Sequence, residues 1–309
     1  APGPLSTLKG DSRVFLETAD FTDIPPYLKA QIFGDPAHSM NLDTWHQRNI
    51  VTDENGKSVL QVTFDPHVNA ALVASILFPN GDEALEAAVE FEMRIMPDML
   101  VGLRQGFKCF AGFRACTRPD DAYFAKIWGT QVGRAGTLLK GNGGAIDRIG
   151  DAGYSCRFDM FKSSAPDHPM YGHFAPMQYV YWPGQSDTFG DAFRWNYAGF
   201  TPKAGEWHTY FSRVKCNTCT APGVYLKDAE FDAFLDGTLA HCRRGFYFRT
   251  TNDPLIMHSP YNIQENVAYN VRSTHLIGSI WLNGYHGGLL LPLSRCSYQI
   301  RNLRCAKLA

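Results

Sequence analysis

Hydrophobic and polar positions alternate with a period of two along much of the chain. "KSVLQVTF" at 57 to 64 and "AAVEFEMRI" at 87 to 95 place apolar and polar residues in turn, and "ALVASILF" at 71 to 78 is a short apolar run. Alternation over several residues marks a strand with one buried face, and a short apolar run between turns marks a more deeply buried one. "WHTYFSRVKC" at 207 to 216, "AEFDAFLDGTLAHC" at 229 to 242 and "GFYFRTT" at 245 to 251 continue the pattern. Asp236-Gly237 separates two of these runs, and Asp-Gly is a residue pair that accepts the positive φ of a tight hairpin turn. Only "DIPPYLKAQIF" from residue 23 and parts of 80 to 88 suggest short helices. Turn residues recur roughly every ten to fifteen positions, which predicts an all-β chain folded as a β-jelly-roll sandwich with a concave groove. No linker-like stretch divides the 309 residues, so one domain is expected, with an N-terminal arm to about residue 44.

Composition narrows the ligand. A net charge of −1 argues against a generally nucleic-acid-binding surface, yet residues 94 to 162 hold eleven Lys/Arg against six Asp. That segment suits an anionic partner. No apolar run of about 18 residues is present, so no membrane span is expected. Eight cysteines in a chain beginning "APGPLSTL" suggest a secreted, extracellular protein with disulfides. The local pairs would be Cys109/Cys116, Cys216/Cys219 and Cys296/Cys305, leaving Cys156 and Cys242. "CNTC" at 216 to 219 could be half a zinc knuckle, but no second C-x-x-C completes it, and no D-x-D-x-D run offers a calcium loop. No metal and no cofactor is therefore expected.

Two segments concentrate polar chemistry. "GYSCRFDMF" at 153 to 161 sets Ser155 and Arg157 two apart, and "MQYVYWP" at 177 to 183 does the same with Tyr179 and Tyr181. Residues i and i+2 of a strand share a face, so each pair can aim into one groove. Cleaving a polyuronate by β-elimination needs such a set. The C5 proton is weakly acidic, so the neighbouring carboxylate must be neutralised while a base takes the proton and an acid protonates the leaving O4. Arg157 and Lys108 have the chemistry for the first task, and the tyrosines for the others.

The segment "VEFEMRIMPDMLVGLRQGFKCFAGF" at 89 to 113 resembles the polysaccharide lyases of family 14, which are jelly-roll alginate and polyglucuronate lyases. "GFKCFAG" stands where that family has a glycine-rich lysine motif, "SCR" matches its S-x-R, "YVY" its Y-x-Y, and "IGSIWLNGYHGG" at 277 to 288 its late strand. The lysine motif lacks one glycine and the Leu-Pro of the family. The similarity spans roughly residues 45 to 290, and the family 20 glucuronan lyases share the fold. The resemblance implies a polysaccharide lyase acting on an anionic polysaccharide, most simply alginate, as a monomer without cofactor. Lys108 and Arg157 would bind or neutralise the uronate carboxylate, Tyr179 and Tyr181 would divide base and acid in an order left open, and Ser155 would position one of them. Arg114, Trp182, Tyr285 and His286 would bind substrate along the groove. Two other readings compete. A glycoside hydrolase would use Glu230 with Asp232, or Glu90 with Glu92, as paired carboxylates. A lectin-like module would use the aromatic groove without catalysis.

Overall fold

The computed structural model describes residues 5–23, 48–66, 70–103, 106–109, 112–114, 156–162, 174–180, 191–194, 202–221, 224–246, 276–277, 279–286 and 292–309. One sheet contains β1 (Val14–Thr18), β2 (Arg48–Thr52), β3 (Ser58–Phe64), β5 (Glu86–Ile95), β11 (Trp207–Lys215), β14 (Ala229–Leu235), β15 (Thr238–Phe246) and β17 (Cys296–Lys307). Its order is β15-β14-β11-β5-β17-β3-β2, with β1 also paired to β17. The other sheet contains β4 (Ala70–Leu77), β6 (Gly106–Cys109), β7 (Gly112–Arg114), β8 (Cys156–Lys162), β9 (Phe174–Val180), β10 (Asp191–Arg194) and β16 (Ser279–His286). Its order is β10-β9-β8-β6-β16-β4, with β7 paired to β16. β12 (Cys219–Ala221) and β13 (Val224–Tyr225) form a small separate ladder. The fold is an all-β jelly-roll sandwich of antiparallel strands.

Alternation decides which way each strand faces. In β5, Ala87, Val89, Phe91, Met93 and Ile95 are fully or almost fully buried, while Glu86, Glu90, Glu92 and Arg94 occupy the other face. Tyr210 and Val214 of β11 pair with Phe91 and Ala87, and Tyr298 and Ile300 of β17 pair with Ile95 and Met93. The Phe91 and Tyr210 rings stack at 5.4 Å, and Phe64 packs against Tyr298 at 6.0 Å. Burial of such side chains is the main driving force for closing the two sheets on one another. From the opposite sheet, Ile76, Phe113 and Ile280 are buried.

A second apolar cluster lies on the outer side of the eight-stranded sheet. Leu8 packs there with Ala88, Phe211, Phe234, Ala306 and Leu308, helped by Leu5 and Val14. The backbone N–H of Leu8 donates to Glu90 Oε2 at 3.2 Å, which ties the N-terminal segment to β5.

The expected hairpin is present. Asp236 and Gly237 have φ of 49° and 77° and join β14 to β15. The helix suggested near 80 to 88 is instead a 3-10 turn, Pro79–Gly81, followed by the start of β5 at Glu86. The alternating Glu86 to Ile95 pattern wins because its apolar half completes the core. A single helical turn, α1 (Met99–Gly102), follows β5, and the helix suggested from residue 23 lies outside the described residues beyond Asp23. No helix among the described residues is long and apolar enough to cross a membrane.

The disulfide expectation is corrected at the cysteines that are described. Cys219, Cys242 and Cys305 carry free thiols, so neither Cys216/Cys219 nor Cys296/Cys305 is bridged, and Cys242 is not linked to Cys156. Cys296 and Cys305 lie on one continuous strand. Nine residues of strand separate their Cα atoms by about 30 Å, against the ~6 Å of a disulfide. Cys116 lies outside the described residues.

Candidate active site

Register determines which predicted residues can share a surface. Ile280 of β16 has Ile76 of β4 and Phe113 of β7 as its Cα partners, and all three are buried. These positions define the core side of the seven-stranded sheet. Successive strand residues alternate between faces, so Ser279, Trp281, Asn283 and Tyr285 occupy positions on the outer side. Lys108 is the register partner of Tyr285, and Arg114 is that of Ser279. Cys109 lies across from Gly284 and Gly112 across from Trp281, so β6 and β7 meet β16 in one unbroken register.

The same row continues through the sheet. Lys108 pairs with Asp159 of β8, Asp159 with Met177 of β9, and Met177 with Arg194 of β10. Tyr285, Lys108, Asp159, Met177 and Arg194 thus form a line across five strands, about 19 Å long at the usual strand spacing. Arg157 and Tyr179 are partners in the neighbouring row, two residues along β8 and β9 and so on the same face. Among the described strand positions on this face, Lys108, Arg114, Arg157 and Arg194 are cationic and Asp159 is the single acid. Such a distribution concentrates positive potential where an anionic chain could lie.

Lys108, Arg114, Arg157, Tyr179 and Tyr285 therefore share a face. His286 does not. It pairs with Phe107 at a position of the same parity as Ile280. Ser155, Tyr181 and Trp182 lie outside the described residues. Sequence reasoning passed over Asp159, Trp281, Asn283 and Arg194. Asp159 had a usable signal, because it follows Arg157 by two within "RFD".

The carboxylate pairs considered for hydrolysis are placed elsewhere. Glu230 and Asp232 lie on the outer side of the eight-stranded sheet, alternating with buried Phe231 and Ala233. Arg213 donates from Nη2 to Glu230 at 2.9 Å and from Nη1 to Asp232 at 2.7 Å, and its Nε bonds Glu86. Burial works against the Arg213 charge, yet these hydrogen bonds outweigh it and hold its pKa above the ordinary value. Arg244 adds a 2.7 Å bond to the other oxygen of Asp232. Glu90 bonds Arg304 at 2.9 Å, and Glu92 bonds Arg301 at 2.9 Å as well as Asn302. All four acids are held by arginines on the side of the sandwich away from Lys108.

No protein-family model matches the chain, and no curated protein sequence does. Several solved structures share the fold. The alginate lyase vAL-1 from Chlorella virus superposes with a TM-score of 0.51 and 13% identity, over 85% of this chain and 89% of that one. A double mutant of the alginate lyase Aly36B in complex with alginate tetrasaccharide gives 0.54 and 15%, over 95% and 93% of the two chains. The marine PL-14 alginate lyase from Aplysia kurodai gives 0.50 and 11%, over 96% and 99%. At these identities the likeness is one of fold.

Proposed function

We propose that the protein is a polysaccharide lyase that cleaves a polyuronate by β-elimination, with alginate as substrate. The observation that carries this reading is the shared face of Lys108, Arg157 and Tyr179, fixed by the Lys108–Asp159 and Arg157–Tyr179 registers. The fold shared with alginate lyases supports it. Lys108 and Arg157 neutralise the uronate carboxylate and stabilise the charge that develops on it as the C5 proton leaves. One tyrosine, Tyr179 or Tyr181, accepts that proton. The C5–H electron pair forms the C4=C5 double bond, the C4–O4 bond breaks towards oxygen, and the other phenol donates a proton to O4. Arg114 and Tyr285 contact neighbouring sugars. A polymer outside the cell requires a secreted enzyme, so extracellular action belongs to the same proposal.

The test is incubation with polymannuronate, polyguluronate and polyglucuronate while the ultraviolet absorbance of unsaturated uronate ends is followed. Absorbance that rises on polymannuronate or polyguluronate and disappears in Lys108→Ala is the expected result; a rise confined to polyglucuronate reassigns the sugar. New reducing ends without absorbance would overturn elimination in favour of hydrolysis. Binding without any cleavage would establish the lectin-like reading instead.

A further inference from the structure

Asp159 stands out on the outer face of the seven-stranded sheet. Among the described strand positions of that face every other charged residue is a cation, as a surface that receives a polyanion requires, and a carboxylate among them repels the carboxylates of the ligand. Its position is also specific. It is the direct register partner of Lys108 across the β6–β8 ladder, and it lies two residues from Arg157 on its own strand. Direct partners in an antiparallel pair have Cβ atoms about 5 Å apart, close enough for their side chains to interact.

We infer that Asp159 is a positioning residue for Lys108, set directly across from it in the β6–β8 register on the row that would face substrate. This assignment rests on the lyase reading for its catalytic purpose. A bare sheet-stabilising pair would fit anywhere on the sheet. This one sits at the lysine assigned to the reaction, on a face where its negative charge otherwise opposes substrate binding. Removing the acid leaves Lys108 between its other register partner, Tyr285, and the cationic positions Arg157 and Arg194, with no acid among the described strand positions of that face, which favours loss of the lysine proton.

The test uses Asp159→Asn and Asp159→Glu in the full chain, with melting temperatures confirming that each variant is folded. In Asp159→Asn, kcat falls about tenfold while KM does not rise, and the alkaline limb of the pH profile moves down by about one unit. Asp159→Glu restores the wild-type limb. A second readout is independent of turnover: acetic anhydride labelling at pH 8, read at Lys108 by mass spectrometry, becomes about tenfold faster in Asp159→Asn because more of the lysine is free amine. Unchanged labelling in a folded Asp159→Asn protein overturns the pairing, and so does lost activity with an unmoved pH profile. If the wild type is silent on every polyuronate while labelling still rises, the pairing stands and only the lyase reading falls.

Discussion

Lys108 and Tyr179 occupy outer-face positions, away from the apolar set that closes the sandwich, so their chemistry can be removed without opening the core. Lys108→Ala and Tyr179→Phe are expected to lower turnover by at least about 100-fold while leaving the melting temperature within a few degrees of wild type. A variant that keeps wild-type turnover removes that residue from the mechanism. Other single residues set the acid limit of stability. Three hydrogen bonds from Arg13, two from its side chain and one from its backbone N–H, hold the Asp11 carboxyl down at about 2. Bonds from the backbone of Lys57 and Asn55 lower Asp53. Burial opposes the Asp228 charge, but bonds from the Thr218 backbone and hydroxyl, both 2.7 Å, outweigh it and lower its pKa. Groups with depressed folded pKa values stabilise above their unfolded value and lose that contribution as pH falls through the folded one. Stability should therefore decline between about pH 4 and pH 2. Asp228→Ala should cost about 1 kcal/mol at neutral pH and flatten part of that decline, as melting curves across the acid range would register. The residue types of Lys108, Arg157 and Tyr179 were legible in the sequence. The partnership of Lys108 with Asp159 was not, because 51 positions of chain separate them and only the β6–β8 register brings them together.

At the scale of elements, the β14–β15 hairpin isolates a backbone effect. Gly237 has φ of 77°, and a Cβ added there meets nothing within 4 Å. Gly237→Ala should thus cost about 1 kcal/mol through the left-handed conformation alone. Asp236→Ala removes more, because that carboxylate accepts the Thr209 N–H at 2.8 Å and bonds His208 Nδ1 at 2.8 Å. Denaturant unfolding of both variants separates the two contributions; equal losses would refute that division. Inside the sandwich, Phe91→Ala should cost about 3–5 kcal/mol, since the ring is fully buried and stacked on Tyr210. β5 was readable because its period never breaks. β17 was not read as a strand, although it is central, pairing with β5, β3 and β1. Its "QIRNLR" core carries charges whose partners, Glu92, Glu90 and Glu17, come from distant strands. A register shift beside Asn302, with φ of 52°, also breaks the alternation.

Across the whole molecule the two outer faces differ in kind. The eight-stranded sheet carries acids and arginines in mutual contact, such as Arg213 with Glu86, Glu230 and Asp232, whereas the charged residues at the described positions of the other face are cationic apart from Asp159. Thiol chemistry offers a global test of the fold. Cys219 and Cys242 are exposed and should react with a thiol reagent in the native protein, while Cys305, buried and with its thiol pKa pushed up by burial, should react only after unfolding. Recovery of a Cys296–Cys305 bridge by peptide mapping would contradict the placement of both on β17. By itself, the sequence determined the all-β class, most of the strands that build the core, the Asp236-Gly237 turn and the kinds of side chain available for chemistry. Period and turn chemistry are local properties, written in consecutive residues. Tertiary structure decided which strands became neighbours, and with them the shared face of Lys108, Arg157 and Tyr179, the exclusion of His286, and the commitment of Glu230 and Asp232 to Arg213. Those outcomes depend on the pairing of segments far apart in the chain, which the burial of both sheets' apolar faces selects as a whole.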